Sequence, residues 1–283
     1  MLKVETMTMW MFLLVLFGES VSTAEIYRSH TDTPLPLDMA ENSVDDMYEG
    51  CENKMATKVK TELLAREKKM SKSFRLAWDE AATEYNKKWK PKPGKKKSQV
   101  LEKEQNMAIY AYTLDKPEIF TEFNNAVRTQ RAQYTSTFQY HSLHFFLTGA
   151  LRALRALNAR KPNTERCLTG YRRVNRTFEL GVLGKEIRFG AFTSSSMGKY
   201  PRKEKFGDET CFGIYTCLGA DVSLYSKFGE SEGEVLVPPY EIFKVTDIKQ
   251  RSENEELPCN VVLTLKSTEK ILSNLNCALF KDN

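Results

Sequence analysis

Tyr225-Ser-Lys-Phe-Gly-Glu-Ser-Glu-Gly-Glu-Val-Leu-Val-Pro-Pro-Tyr-Glu-Ile-Phe243 sets Glu230, Glu232 and Glu234 at every second position directly before a short apolar strand. If the chain is extended there, the three carboxylates point the same way. Like charges on one side of a segment repel, so the run calls for something cationic opposite it. The bland alternative is an acidic surface turn between two strands.

Around this stretch, 283 residues with 41% hydrophobic content can bury a sizeable core within one large domain. The 42 basic and 37 acidic residues leave a formal charge of +5, too balanced to point to nucleic acid as a partner. Lys3, an apolar run from Met9 to Phe17, and small residues at Ser22 and Ala24 predict a secretory signal peptide over 1–24. That run is well short of the roughly 20 residues needed to span a bilayer. Residues 276–283 offer no apolar tail for a lipid-anchor signal, so a secreted, extracellular protein without a stable membrane anchor is expected. In such a chain Cys51, Cys167, Cys211, Cys217, Cys259 and Cys277 allow three disulfides in fifteen connectivities. None has zinc-like Cys-x-x-Cys spacing, so no metal is expected.

From Asn42 to about Arg160 apolar residues recur at three- and four-residue spacing with few breakers, which predicts helices. Asn42-Ser-Val-Asp-Asp46 offers a cap and first-turn acids for a short one. Met70 to Lys88 carries Phe74, Leu76, Ala77, Trp78 and Ala81 as one face of another, and Ser142 to Leu157 is the most apolar. His141 and His144, one turn apart with no third ligand in view, read as packing or capping residues. Lys87-Lys-Trp-Lys-Pro-Lys-Pro-Gly-Lys-Lys-Lys97 is either a solvated turn or a site for anionic glycans or acidic lipids. After Lys161-Pro162 short strands are predicted at Cys167 to Val174, Glu186 to Phe192, Thr210 to Leu218, Val235 to Val237, Tyr240 to Ile248 and Asn260 to Leu265. A helical half followed by a β half is an α+β fold.

Three local signatures in this order carry more. Tyr171-Arg172 lies in the first predicted strand, Phe189-Gly-Ala-Phe-Thr-Ser-Ser-Ser196 follows, and Glu232-Gly-Glu234 runs into Val-Leu-Val-Pro-Pro. Together they resemble the Arg, Ser and Glu-x-Glu motifs of the arginine-specific mono-ADP-ribosyltransferases, the vertebrate ecto-enzymes above all and the cholera-toxin-like group more distantly. The resemblance runs from Leu37-Asp-Met-Ala-Glu-Asn-Ser-Val-Asp-Asp-Met47 to Asn276-Cys277. It implies a helical N-terminal lobe packed on a β-sandwich-like NAD-binding core. The signal peptide over 1–24 is then followed by a single catalytic domain over 25–283, with the helical lobe at about 41–160 and the β core at about 165–283.

The implied reaction moves ADP-ribose from NAD, or NADP, to arginine side chains of acceptor proteins and releases nicotinamide. The leaving group departs neutral, so the difficulty is an oxocarbenium-like ribose that a carboxylate can stabilise. The resemblance makes Glu234 that carboxylate and Glu232 the partner and base of the acceptor guanidinium. It assigns Arg172 to the NAD phosphates, where a planar, permanently charged fork suits a pyrophosphate, and Ser194 to the nicotinamide ribose. Tyr171 and Arg173 complete the cofactor-binding set; Arg173 stands where the family usually has Gly, whose backbone reaches the nicotinamide amide. Phe228 either offers its ring to the acceptor or anchors the loop. The implied disulfides are Cys51–Cys277 and Cys167–Cys217, with Cys211–Cys259 left over. No Gly-x-Gly-x-x-Gly or phosphate loop occurs, so NAD would not sit on a Rossmann unit.

Two other functions compete. An NAD glycohydrolase would use the same site with water as acceptor, for which Glu234 suffices and Glu232 is superfluous. A non-catalytic secreted binding protein would rely on the Lys87 to Lys97 loop and would have no use for Glu234.

Overall fold

Met55, Val59, Leu63 and Glu67 are buried at four-residue intervals, a spacing that an α-helix overshoots by about 40° at each step. The chain absorbs the drift by widening: α1 (Glu52–Lys58) passes through a π-helical stretch, Val59–Leu63, into α2 (Leu64–Met70). Glu67 thus keeps to the core side, where it accepts from the His141 and Ser142 amides at 2.9 and 3.0 Å and caps the helix that begins at His141.

α3 (Lys72–Lys88) starts at Ser71, whose hydroxyl accepts from the Phe74 amide at 3.1 Å. It buries Phe74, Ala77, Trp78, Ala81 and Tyr85. Leu76, expected on the same face, is 46% exposed, because two positions turn a helical residue about 200° away from Phe74. α4 (Lys103–Tyr112) opens with a capping box between Glu102 and Gln105, and α5 (Phe120–Thr129) and α6 (His141–Asn158) follow. Both histidines of α6 are buried and bonded internally. His141 Nε2 lies 2.8 Å from the Tyr134 carbonyl; His144 Nε2 donates to the Val44 carbonyl at 3.0 Å and Nδ1 accepts from the Tyr48 hydroxyl at 2.7 Å.

The short helix expected at Asn42-Ser-Val-Asp-Asp46 does not form. Its acids are buried instead of capping: Asp45 pairs with Arg188 at 2.9 Å with neither side chain exposed, and Asp46 accepts from the Tyr134 hydroxyl and from the Tyr48 and Cys277 amides. Those partners lie up to 231 residues away, so the local pattern carried no trace of them.

The computed structural model describes residues 33–91, 100–160, 165–231 and 233–281; the expected signal peptide, residues 92–97 of the basic loop and Glu232 lie outside the described residues. The β half contains β1 (Leu168–Val174), β2 (Glu186–Ile187), β3 (Thr193–Ser196), a short helix α7 (Lys203–Phe206), β4 (Thr210–Thr216), β5 (Ala220–Asp221), β6 (Glu234–Val237), β7 (Glu241–Gln250) and β8 (Val261–Ile271). The strand expected from Glu186 to Phe192 stops after Ile187. There Arg188 turns inward, donating to the Met39, Ala40 and Leu272 carbonyls as well as to Asp45.

All eight strands join one sheet in the order β2-β7-β8-β4-β1-β3-β6-β5. Only Pro238, Pro239 and Tyr240 connect β6 to β7, which stand seventh and second in that order. Four residue steps reach about 14 Å, whereas five strand spacings in a flat sheet span about 24 Å, so the sheet has to fold over on itself. Val237 of β6 accordingly shares one apolar core with Ile187 and Phe243 near the opposite edge. This is the helix-then-sandwich-like arrangement expected. Leu236, the next residue back, belongs to the helical core, so β6 is buried on both faces.

Disulfides join Cys51 to Cys277, Cys167 to Cys217 and Cys211 to Cys259, the pairing implied at the outset. Residues from Pro34 onward form one compact unit.

Burial pulls the His144 imidazole down to about 3, whereas the unfolded chain takes up that proton near pH 6.5. The stability this contributes is fully present above pH 6.5 and is lost as pH falls towards 3. His144→Gln should therefore flatten the pH dependence of stability: between pH 7.5 and 4.5 the wild type should lose on the order of 2 kcal/mol more than the variant in urea unfolding.

Candidate active site

β3 lies between β1 and β6, with Tyr171 opposite Ser196 on one side and Ser196 opposite Glu234 on the other. Arg172, Ser194 and Glu234 therefore come from three neighbouring strands. Ser194 Oγ donates to Glu234 Oε1 at 2.8 Å, and Ser226 Oγ donates to Oε2 at 2.9 Å. Both carboxylate oxygens are thereby oriented in a residue that is only 9% exposed. Arg172 Nη1 donates to the Ser194 carbonyl at 2.8 Å. One serine thus fixes the cation through its main chain and the carboxylate through its side chain. Gly170 permits the close approach of β1 to β3, since a Cβ there would stand 2.1 Å from Ser195 Oγ.

Arg172 is half-buried, and burial lowers its guanidinium below the ordinary value; nearby Tyr112 opposes the shift and Arg128 adds to it. Its charged surroundings thus include a second cation. A half-buried cation beside another is costly unless an anion joins them, and a pyrophosphate has the required charge.

The helices supply a second wall that the sequence did not disclose. The Tyr112 hydroxyl, at the end of α4, donates to the Phe192 carbonyl and accepts from Asn124 Nδ2 of α5, both at 3.0 Å. Burial pushes that hydroxyl up, and the charge of Glu234 adds to the rise, so Tyr112 stands beside the Ser194–Glu234 pair. Tyr112, Asn124, Arg128 and Ser226 are all missed by motif reading. Ser226 sits in an unremarkable turn, and the other three become neighbours of the site only when the helices pack on the sheet.

The loop before β6 is not one extended run, and Glu230 and Glu234 do not share a side. Ser223–Tyr225 and Gly229–Ser231 are single 3-10 turns, and Gly233 takes φ +54°. The left-handed residue rotates Glu234 inward while Glu230 stays exposed. The loop is docked on the helices: the Lys227 amide donates to Thr113 Oγ1 at 2.9 Å and its ammonium lies 3.5 Å from Glu80. Tyr171 packs edge-on against Tyr200 at 4.9 Å between ring centres. The Arg173 side chain is committed elsewhere, donating to the Gly207 and Pro258 carbonyls at 3.2 and 2.9 Å.

A family model described as NAD:arginine ADP-ribosyltransferase matches residues 37–270. The chain belongs to that family. It is 35% identical over 251 residues to the NAD(P)(+)--arginine ADP-ribosyltransferase 1 of Gallus gallus, covering 87% of this chain and 73% of that one. It is 34% identical over 273 residues to the GPI-linked NAD(P)(+)--arginine ADP-ribosyltransferase 1 of Mus musculus, covering 93% and 78%. The crystal structure of the eucaryotic mono-ADP-ribosyltransferase ART2.2 superposes with a TM-score of 0.66 at 32% identity, covering 88% of this chain and all of that one. A mutant of ART2.2 has been solved in complex with NAD.

Within an arginine ADP-ribosyltransferase, Ser226 gains a purpose: it holds the second oxygen of the carboxylate that Ser194 holds by the first. Ser226→Ala should lower the rate of nicotinamide release from NAD about tenfold, the worth of one hydrogen bond to a charged group. Single-turnover measurements with labelled NAD would check it, and an unchanged rate would remove Ser226 from the positioning of Glu234.

Proposed function

We propose that the protein transfers ADP-ribose from NAD or NADP to arginine side chains of proteins outside the cell, releasing nicotinamide. The observation that carries this reading is the shared serine: Ser194 links Arg172 to Glu234 at 2.8 Å on each side. That linkage joins an anion-binding group to a cation-stabilising one across two strand spacings, with β3 between β1 and β6. Arg172, with Arg128 near it, would take the pyrophosphate, and Ser194 the nicotinamide ribose. Glu234 would meet the ribose through its 2'-hydroxyl.

The bond from ribose C1' to the nicotinamide nitrogen breaks with its electron pair on nicotinamide, which leaves neutral. The positive charge left on the ribose faces the oriented carboxylate of Glu234. An arginine nitrogen then attacks C1' and passes its proton to a carboxylate, the role proposed for Glu232. Backbone groups at Arg173 would meet the nicotinamide amide, and Tyr171 would support that strand. The helical part and the sheet serve as one catalytic domain in this scheme, because Tyr112 and Thr113 of the one support Glu234 and its loop in the other.

The extracellular setting rests on three disulfides and on relatives named as ecto- and GPI-linked enzymes. Those names do not favour a freely secreted protein over an anchored one.

Glu234→Gln keeps shape and hydrogen bonding but removes the opposing charge, a loss of about 3 kcal/mol or two to three decades in rate. With labelled NAD and agmatine, both nicotinamide release and transfer should collapse. Glu232→Gln should leave cleavage by water standing while transfer to agmatine falls, since only the acceptor loses its partner. The reverse pattern would exchange the two roles, and cleavage without transfer in the wild type would make the protein a glycohydrolase.

A further inference from the structure

Beside the loop that carries Phe228, the chain from Met197 to Phe206 presents Lys199, Arg202, Lys203 and Lys205, all exposed, against the single acid Glu204. The segment is continuous with the site: the Met197 amide donates to the Gly233 carbonyl at 2.7 Å, one residue before Glu234. At its far end the Lys205 ammonium lies 5.1 Å from the Phe206 ring centre and 5.5 Å from that of Phe228. Two aromatic faces around one cation form a seat whose chemistry suits any ammonium or guanidinium, arginine better than lysine because its flat fork stacks on a ring.

Resting on the transferase reading above, we infer that Lys205 is a built-in competitor for the acceptor arginine and makes the enzyme select arginines with acidic neighbours. An incoming guanidinium meets a seat already filled by the protein's own ammonium. A carboxylate close to that arginine draws Lys205 off the Phe206 and Phe228 rings and pairs with it, and Lys199, Arg202 and Lys203 hold further acids along the same strip. An acceptor without acids must displace Lys205 unaided, and one with basic neighbours is also repelled by the four cations. The electrostatic part of this selection is screened by salt, as expected for exposed charges.

The test compares Lys205→Ala with wild type on three acceptors: agmatine, a peptide with one arginine between glutamates, and the same peptide with lysines in their place. In the wild type the glutamate peptide should have a KM about tenfold below that of the lysine peptide, and the gap should shrink in 0.5 M NaCl. In Lys205→Ala the KM for agmatine should fall about threefold, because the competitor is gone, while the KM for the glutamate peptide rises by a similar factor. Lys205→Arg should restore the wild-type order. A merely structural role for Lys205 would move both constants the same way, and that result, or no change in either, overturns the inference. Failure of the wild type to modify any acceptor while it still releases nicotinamide would instead sink the transferase reading on which the inference rests.

Discussion

Three residues, Pro238, Pro239 and Tyr240, hold two distant strands of one sheet within about 14 Å of each other. Because two of the three are prolines, the short connection is also stiff. The sheet therefore curls, and β6 comes to lie between two cores: Leu236 packs with the helices and Val237 with the facing half of the sheet. Glu234, the first residue of that strand, is placed at the seam between helices and sheet by the same constraint. Its supports then come from both sides, Ser194 from the neighbouring strand and Ser226 from a loop bonded to Thr113.

Other seams of the molecule are closed by buried carboxyl groups. Asp45 is matched by Arg188, which also gathers three carbonyls from the N-terminal segment and the end of β8. Glu67 receives two amides at the start of α6, and Glu241 receives the Cys217 and Leu218 amides and the Thr216 hydroxyl. Burial raises the Glu241 carboxyl, whose bonds stitch β7 to the turn after β4. Asp45 is thus held by a guanidinium, whereas amide donors hold Glu67, amides and a hydroxyl hold Glu241, and two serine hydroxyls orient the carboxylate of Glu234.

The helices were legible wherever burial followed the three- and four-residue rhythm, as in Phe74, Ala77, Trp78 and Ala81. The reading failed at Leu76, where an apolar residue faces water, and at Asp45 and Asp46, where acids face the core. Strand positions were legible from β-branched runs, but the early end of β2 was not, because Arg188 leaves the strand to meet a partner 143 residues earlier in the chain.

Arg172, Ser194 and Glu234 could be proposed from the sequence because Tyr171-Arg172, the Phe189 to Ser196 segment and Glu232-Gly-Glu234 together resemble the motifs of one family, whereas each stretch alone is commonplace. The chain by itself thus determined the α+β class and the family, and it offered three candidate residues that the structure brings onto neighbouring strands. Only the tertiary structure decided that Tyr112, Asn124, Arg128 and Ser226 stand around them and that Lys205 occupies the ring of Phe228. It also decided that Gly233 takes a left-handed conformation and that Glu234 turns inward while Glu230 stays exposed. The reason is physical: a motif records the interactions of residues close in sequence. A packing contact depends on how far the sheet curls, and that is set by a connection too short to be satisfied in any other way.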